Sequence, residues 1–158
     1  MAQGENTLVE LGWDKVFQQQ FDRVNVSGSL PGRVVFEQRA LYQVLTEKGQ
    51  LQAEISGKFR NQVEVNARFP AVGDWVVVVP VPGEPKAIIH ALLPERSRFS
   101  RQSAGGRERL SGGKTQEQIL AANIDTVFIV GAMDGGRSSN MRRIERYLRL
   151  RGTVGLSR

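Results

Sequence analysis

Gly113-Lys114-Thr115 spells the end of a phosphate-binding loop. In such a loop backbone N–H groups cradle phosphates, the lysine reaches the terminal ones and the Ser/Thr hydroxyl holds Mg²⁺. The full motif needs a glycine five positions before Gly113, on a turn between a buried strand and a helix. Glu108 stands there, and the preceding Arg101-Gln102-Ser103-Ala104 lacks the apolar content of a buried strand. Thr115-Gln116-Glu117-Gln118 reads instead as a capping box, Thr115 at N-cap and Gln118 at N3, opening a helix over 117–123.

Other candidates for chemistry are weaker. Asp134-Gly135-Gly136 follows an apolar stretch, but Arg137 stands where a DxxG Mg²⁺ site needs glycine, so an exposed turn is expected. His90 sits in an apolar run with no second histidine and no cysteine in the chain, and reads as a barrel histidine rather than a catalytic group or metal ligand. No Ser/His/Asp arrangement or close carboxylate pair marks a catalytic site.

Nucleic-acid chemistry is better represented. Arg33, Arg39, Tyr42, Lys58, Phe59 and Arg60 combine cations for phosphates with aromatics for bases. Arg98, Arg101, Arg107 and Arg109, with Arg96, extend a basic track beyond them.

The elements that would carry these residues follow from periodicity. Trp13, Val16, Phe17 and Phe21 at i, i+3, i+4, i+8 predict a docking helix within an N-terminal extension, residues 1–30. Residues 31–93 read as strands: Arg33–Glu37, Leu41–Leu45, Leu51–Ile55, Trp75–Val79 and Ala87–Leu93. Gly49 and Gly73-Asp74 mark turns between them. Five short antiparallel strands in this span suit a small barrel, and an OB-fold is the expectation. Residues 94–115 read as a basic, glycine-bearing linker. Residues 116–158 then read as an incomplete α/β segment, with the helix at 117–123, a buried strand at 124–131 and a second helix at 140–150. The fold class is mainly β: a five-stranded OB barrel with an N-terminal helical segment and a C-terminal α/β fragment.

Composition narrows the partners. With no cysteine, disulfides and thiolate metal sites are excluded, and one histidine argues against a histidine metal site. No apolar run approaches the ~20 residues that span a bilayer, so a soluble cytoplasmic protein without membrane contact is expected. The net charge is +6, and it is uneven. Residues 1–30 carry two Lys/Arg against four Asp/Glu and residues 31–93 seven against six, while residues 94–123 carry six against three and residues 124–158 seven against three. A basic C-terminal half favours an anionic partner, nucleic acid first.

Several segments are worded as in one family. Gly32-Arg33-Val34-Val35, Leu41-Tyr42-Gln43-Val44, Ala53-Glu54-Ile55-Ser56-Gly57-Lys58-Phe59-Arg60, Val72-Gly73-Asp74-Trp75-Val76 and Leu93-Pro94-Glu95-Arg96-Ser97 carry the likeness. Glu117-Gln118-Ile119-Leu120-Ala121-Ala122-Asn123-Ile124-Asp125 carries it most specifically. The chain resembles the N-terminal part of ribosome small subunit-dependent GTPase A, the circularly permuted GTPases of small-subunit maturation. The resemblance implies an OB domain on small-subunit ribosomal RNA, followed by the first elements of a permuted G domain. GTP, Mg²⁺ and Zn²⁺ are implied only for the complete family member. NKxD, P-loop, switch motifs and zinc ligands are not in this sequence, so no cofactor and no activity alone are expected. The tail from Gly152 departs from the family pattern, as a truncation or frame change near residue 150 would explain. Self-association through the incomplete α/β segment is a further expectation. The competing functions are a GTP-binding or GTP-hydrolysing assembly factor and a protein–protein interaction module.

Overall fold

In the computed structural model of the chain, residues 8–24, 26–66, 68–102 and 117–128 are described. Alternation and turn chemistry build the first part strand by strand. Strands β1 (Leu30–Gln38) and β2 (Leu41–Thr46) are joined by the tight turn Arg39-Ala40. From β2 the chain enters β3 (Gly49–Ile55) at Gly49, whose φ of 100° lies in the region that favours glycine. Thr46 fixes that turn: its Oγ1 donates to the Gly49 carbonyl at 2.9 Å and accepts from the Lys48 N–H at 3.1 Å. Strands β4 (Trp75–Pro80) and β5 (Lys86–Leu92) complete a closed barrel in the order β1-β2-β3-β5-β4. The β3–β5 pair is parallel, and the others are antiparallel. The five strands expected from alternation are present, the parallel β3–β5 pair corrects the expectation that all are antiparallel, and the closed barrel is an OB-fold.

Between β3 and β4 runs helix α2 (Gly57–Asn66), absent from the sequence expectations. Ser56 starts it by accepting the Phe59 N–H on its Oγ at 3.1 Å. Phe59 and Val63, one turn apart, join Val44, Val76 and Ile89 in the barrel core.

Strand β4 explains why its sequence does not alternate. Val76 and Val78 belong to the interior cluster, whereas Trp75 and Val77 belong to a second cluster outside the barrel. Helix α1 (Lys15–Asp22) covers that outer face. Asp14 caps it, its Oδ1 accepting the N–H groups of Val16 at 2.9 Å and Phe17 at 3.2 Å. Trp13 meets Trp75 edge-on with ring centroids 4.7 Å apart, and Phe17 lies 5.9 Å from both rings. Burying rings of this size stabilises the docked helix by roughly 1.5–3 kcal/mol each.

The approach to β4 is pinned by charge. The Asp74 carboxylate is fully buried and accepts both guanidinium arms of Arg68, at 2.6 and 2.7 Å, together with the Ala71 N–H at 2.7 Å. Arg68 also reaches Glu95 at 3.1 Å, tying the end of this unit to the same loop. Burial alone would lower the Arg68 pKa, but the hydrogen bonds and charges of Asp74 and Glu95 outweigh it and raise it.

The chain divides into two units, Met1–Glu95 and Arg96–Arg158. In the second, β6 (Arg98–Gln102) pairs antiparallel with β7 (Glu117–Ala122). Two expectations are corrected here. The helix expected over 117–123 is a strand, and the stretch read as linker contains its partner. The described residues 124–128 of the expected buried strand form no strand, and Phe128 is 86% exposed. A strand needs a neighbour to pair with, and among the described residues none pairs with this one. Residues 140–150, expected as a helix, lie outside the described residues.

Replacing Asp74 by alanine leaves Arg68 without its bidentate partner and the Ala71 N–H without an acceptor. A loss of about 3 kcal/mol is expected, at the low end for a broken buried pair because Arg68 keeps some solvent contact. Urea unfolding of the variant reads this, and a loss below about 1 kcal/mol would refute the pinning role.

Candidate nucleic-acid interface

The turn between β1 and β2 is built from non-glycine residues in the left-handed region, Arg39 at φ 51° and Ala40 at φ 65°. A two-residue hairpin needs positive φ at both central positions, and Asn-Gly would supply it more cheaply. Here the strain is borne by a residue pair that places an exposed arginine at the tip.

Below the tip, β1 carries a bulge at Val35: Val34 pairs with Val44, but Phe36 pairs with Gln43. Phe36, 47% exposed, thus shares the outward face with Gln43, which faces Gln52 on β3 in turn. The neighbouring row is Gln38, Leu41 and Glu54. Gln50 donates its Nε2–H to Gln43 Oε1 at 3.0 Å and orients that amide. The result is a sheet face with one aromatic platform and several amide side chains.

Register brings three of the expected cations together. Leu41 pairs with Glu54, so the Arg39 tip and the end of β3 lie at one end of the barrel, where α2 begins with Lys58 and Arg60. Arg39, Lys58 and Arg60 are all exposed. Lys58 and Arg60 lie in the first turn of α2, so they add to the positive end of the helix dipole. Glu37 and Glu54 are exposed at the same end and offset part of this charge.

Two expected contacts are corrected. Tyr42 is 2% exposed and Phe59 4%, both within the barrel core, and a ring packed there cannot stack on a base. Tyr42 has the strand parity of Val44, and Phe59 points into the barrel with Val63. The aromatic that sequence reasoning missed is Phe36. Its outward position comes from the bulge, which leaves no signal in the local pattern.

Arg33 is half-buried, its guanidinium 5.7 Å from the centroid of the Trp75 ring. It therefore belongs with the docked N-terminal segment. Arg98 is exposed on β6, and Arg101 lies on the same strand opposite Gln118. Arg107 and Arg109 lie outside the described residues.

The Gly113-Lys114-Thr115 motif leads into strand β7 and not into a helix. The capping box expected at Thr115 has no helix over 117–122 to cap. The Gly113-Lys114-Thr115 motif itself lies outside the described residues. Among the described residues, no group of three or more acidic or histidine side chains is placed to hold a metal.

Burial, then the Glu37 carboxylate, pushes the Tyr42 phenol up to about 12 from its ordinary 10.0, with Arg60 opposing. The fold therefore favours the protonated ring. Its contribution to stability is intact below pH 10 and is lost as pH rises toward 12, by about 2–3 kcal/mol in all. Unfolding measured at neutral pH and near pH 12 should show this loss, and Tyr42→Phe should abolish that part of it. An unchanged pH profile in Tyr42→Phe would show that the phenol is not the titrating group.

Curated relatives match most of the chain. It is 39% identical over 150 residues to the small ribosomal subunit biogenesis GTPase RsgA of Opitutus terrae, covering 90% of this chain and 38% of that protein. The RsgA of Syntrophotalea carbinolica is 36% identical over 143 residues, covering 90% and 38%. That of Xanthomonas oryzae is 38% identical over 147 residues, covering 92% and 35%. The chain thus spans little more than a third of the length of these relatives. No family model matches it. Among solved structures, YjeQ from Thermotoga maritima is 23% identical with a TM-score of 0.38, covering 45% of this chain and 24% of that one. Across nine-tenths of its residues the chain belongs by sequence to the RsgA family, whose N-terminal part it matches.

Proposed function

We propose that this chain is an RNA-docking module of small-subunit maturation, which lays the outer face of β1–β3 and the Arg39 turn on small-subunit ribosomal RNA. The observation that carries the reading is the uncovered face itself. Helix α1 covers the outside of β4, while Phe36, Gln43 and Gln52 remain exposed in one lateral row. OB barrels use this strand face and its adjoining loops for oligonucleotides. Phe36 offers a stacking surface to an unpaired base, the glutamine amides can pair with base edges, and Arg39 suits a phosphate beside them. The relatives are named for small ribosomal subunit biogenesis, which supports the small subunit as partner, and a cytoplasmic location belongs to the same proposal. Among the described residues no helix is long and apolar enough to cross a membrane.

GTP binding or hydrolysis by this chain alone finds no support in the residues around Gly113. A protein–protein module is the competing reading. It is favoured by the charge of residues 1–95, nine Lys/Arg against eleven Asp/Glu, which gives the barrel unit no net attraction for RNA.

Isolated small ribosomal subunits provide the test. Phe36→Ala with Arg39→Ala should weaken binding by at least roughly 30-fold, since one stacked base and one charge-assisted hydrogen bond are worth about 1–3 kcal/mol each. The melting temperature should be unchanged or slightly raised, because both side chains are exposed. Full-strength binding by this folded double variant would remove the face from consideration. Binding indifferent to a severalfold rise in salt would favour the protein-contact reading.

A further inference from the structure

The charge of the chain and its docking face lie in different units. Residues 1–95 carry a net −2, and residues 96–158 carry thirteen Lys/Arg against five Asp/Glu, a net +8. Within the first unit several cations are already engaged: Arg68 by Asp74 and Glu95, Lys86 by Glu84 at 2.7 Å, and Arg33 over Trp75. The cations at the barrel end are accompanied by Glu37 and Glu54. By sequence, residues 96–114 carry six Lys/Arg against Glu108 alone.

The second unit also holds its first arginines in place. Asn123 follows β7 with φ 52°, in the left-handed region that asparagine tolerates better than most residues. From there its Oδ1 accepts the Arg96 N–H at 2.9 Å, and its own N–H donates to the Ser97 carbonyl at 2.8 Å. These two bonds fix the backbone of Arg96-Ser97 across the end of the β6–β7 ribbon. Arg96 and Arg98, both exposed, are presented two residues apart from a backbone that needs little further ordering to bind. Guanidinium groups so presented suit consecutive phosphates along one RNA strand.

We infer that the electrostatic grip on the RNA backbone resides in the Asn123-clamped Arg96–Arg98 segment, while the near-neutral barrel face supplies contacts to bases. This rests on the RNA-docking reading above and divides its affinity between the two units. The consequence is a separation that ordinary affinity measurements would miss: the salt dependence of binding should belong to one unit and base preference to the other.

The test is a salt titration with the full chain, on isolated small ribosomal subunits and on a fluorescein-labelled unstructured RNA that exceeds a site of roughly 4–16 nucleotides. Binding is measured between about 50 and 200 mM KCl. Arg96→Gln with Arg98→Gln should lower the slope of log affinity against log salt by about 1.4, because each single-strand phosphate left unneutralised removes ~0.7. Lys58→Gln with Arg60→Gln should leave the slope within about 0.5 of the parent. Phe36→Ala should lower affinity with no change in slope. If the Arg96/Arg98 variant keeps the parental slope, or if the Lys58/Arg60 variant loses it instead, the assignment is overturned while RNA docking stands. If the parent chain binds neither probe in a salt-dependent way, the docking reading fails and this inference with it. Unchanged melting temperatures confirm that each variant is folded.

Discussion

Strand β4 has to be covered twice, and much of the first unit follows from that requirement. Trp75-Val76-Val77-Val78 is apolar at every position, so closing the barrel around Val76 and Val78 still leaves Trp75 and Val77 facing out. Helix α1 answers this with Phe17 and Phe21, joined by Trp13 just before its cap. The buried Asp74–Arg68 pair, immediately before Trp75, then sets where β4 begins, and Glu95 fixes the exit of the chain to the same loop. Once this side of the barrel is occupied, β1–β3 form the side left open. The location of the candidate interface is therefore a consequence of packing on the opposite wall, not only of residue types on its own surface.

The strands themselves were legible in the sequence because alternation and turn residues are local signals. Which parity faces inward was not. Leu41-Tyr42-Gln43-Val44-Leu45 offers apolar residues on both parities, and only closure of the barrel assigns Tyr42 and Val44 to the core and Leu41 to solvent. Phe36 shows the same limit more sharply, since its direction depends on one extra residue at the Val35 bulge. The Arg68–Asp74 pair was also hidden: two charges six residues apart, on a segment that reads as a turn, say nothing of their burial.

Residues 117–123 are ambiguous in sequence for a different reason. Gln118-Ile119-Leu120-Ala121-Ala122 is a short apolar run that suits a helix or a strand, and Thr115-Gln116-Glu117-Gln118 spells a cap that favours helix. The deciding contact lies some twenty residues earlier in sequence, in a polar segment whose arginines and serines resemble a linker. Pairing of β6 with β7 satisfies the facing edge of each strand. Neither strand announces itself, because each is justified only by the other.

That pairing also changes what the arginines can do. On a freely moving linker, each cation that met a phosphate would lose backbone and side-chain freedom, and that loss would cancel much of its attraction. On a ribbon closed by Asn123, the backbone share of that loss is met when the chain folds. The barrel face presents the complementary case. It has rigid strands and specific polar edges but no surplus charge. A surface of that kind discriminates among partners better than it attracts them, and the attraction has to come from residues on another element. A fold that separates the two properties can keep a selective face close to neutral, which limits indiscriminate adhesion to any polyanion.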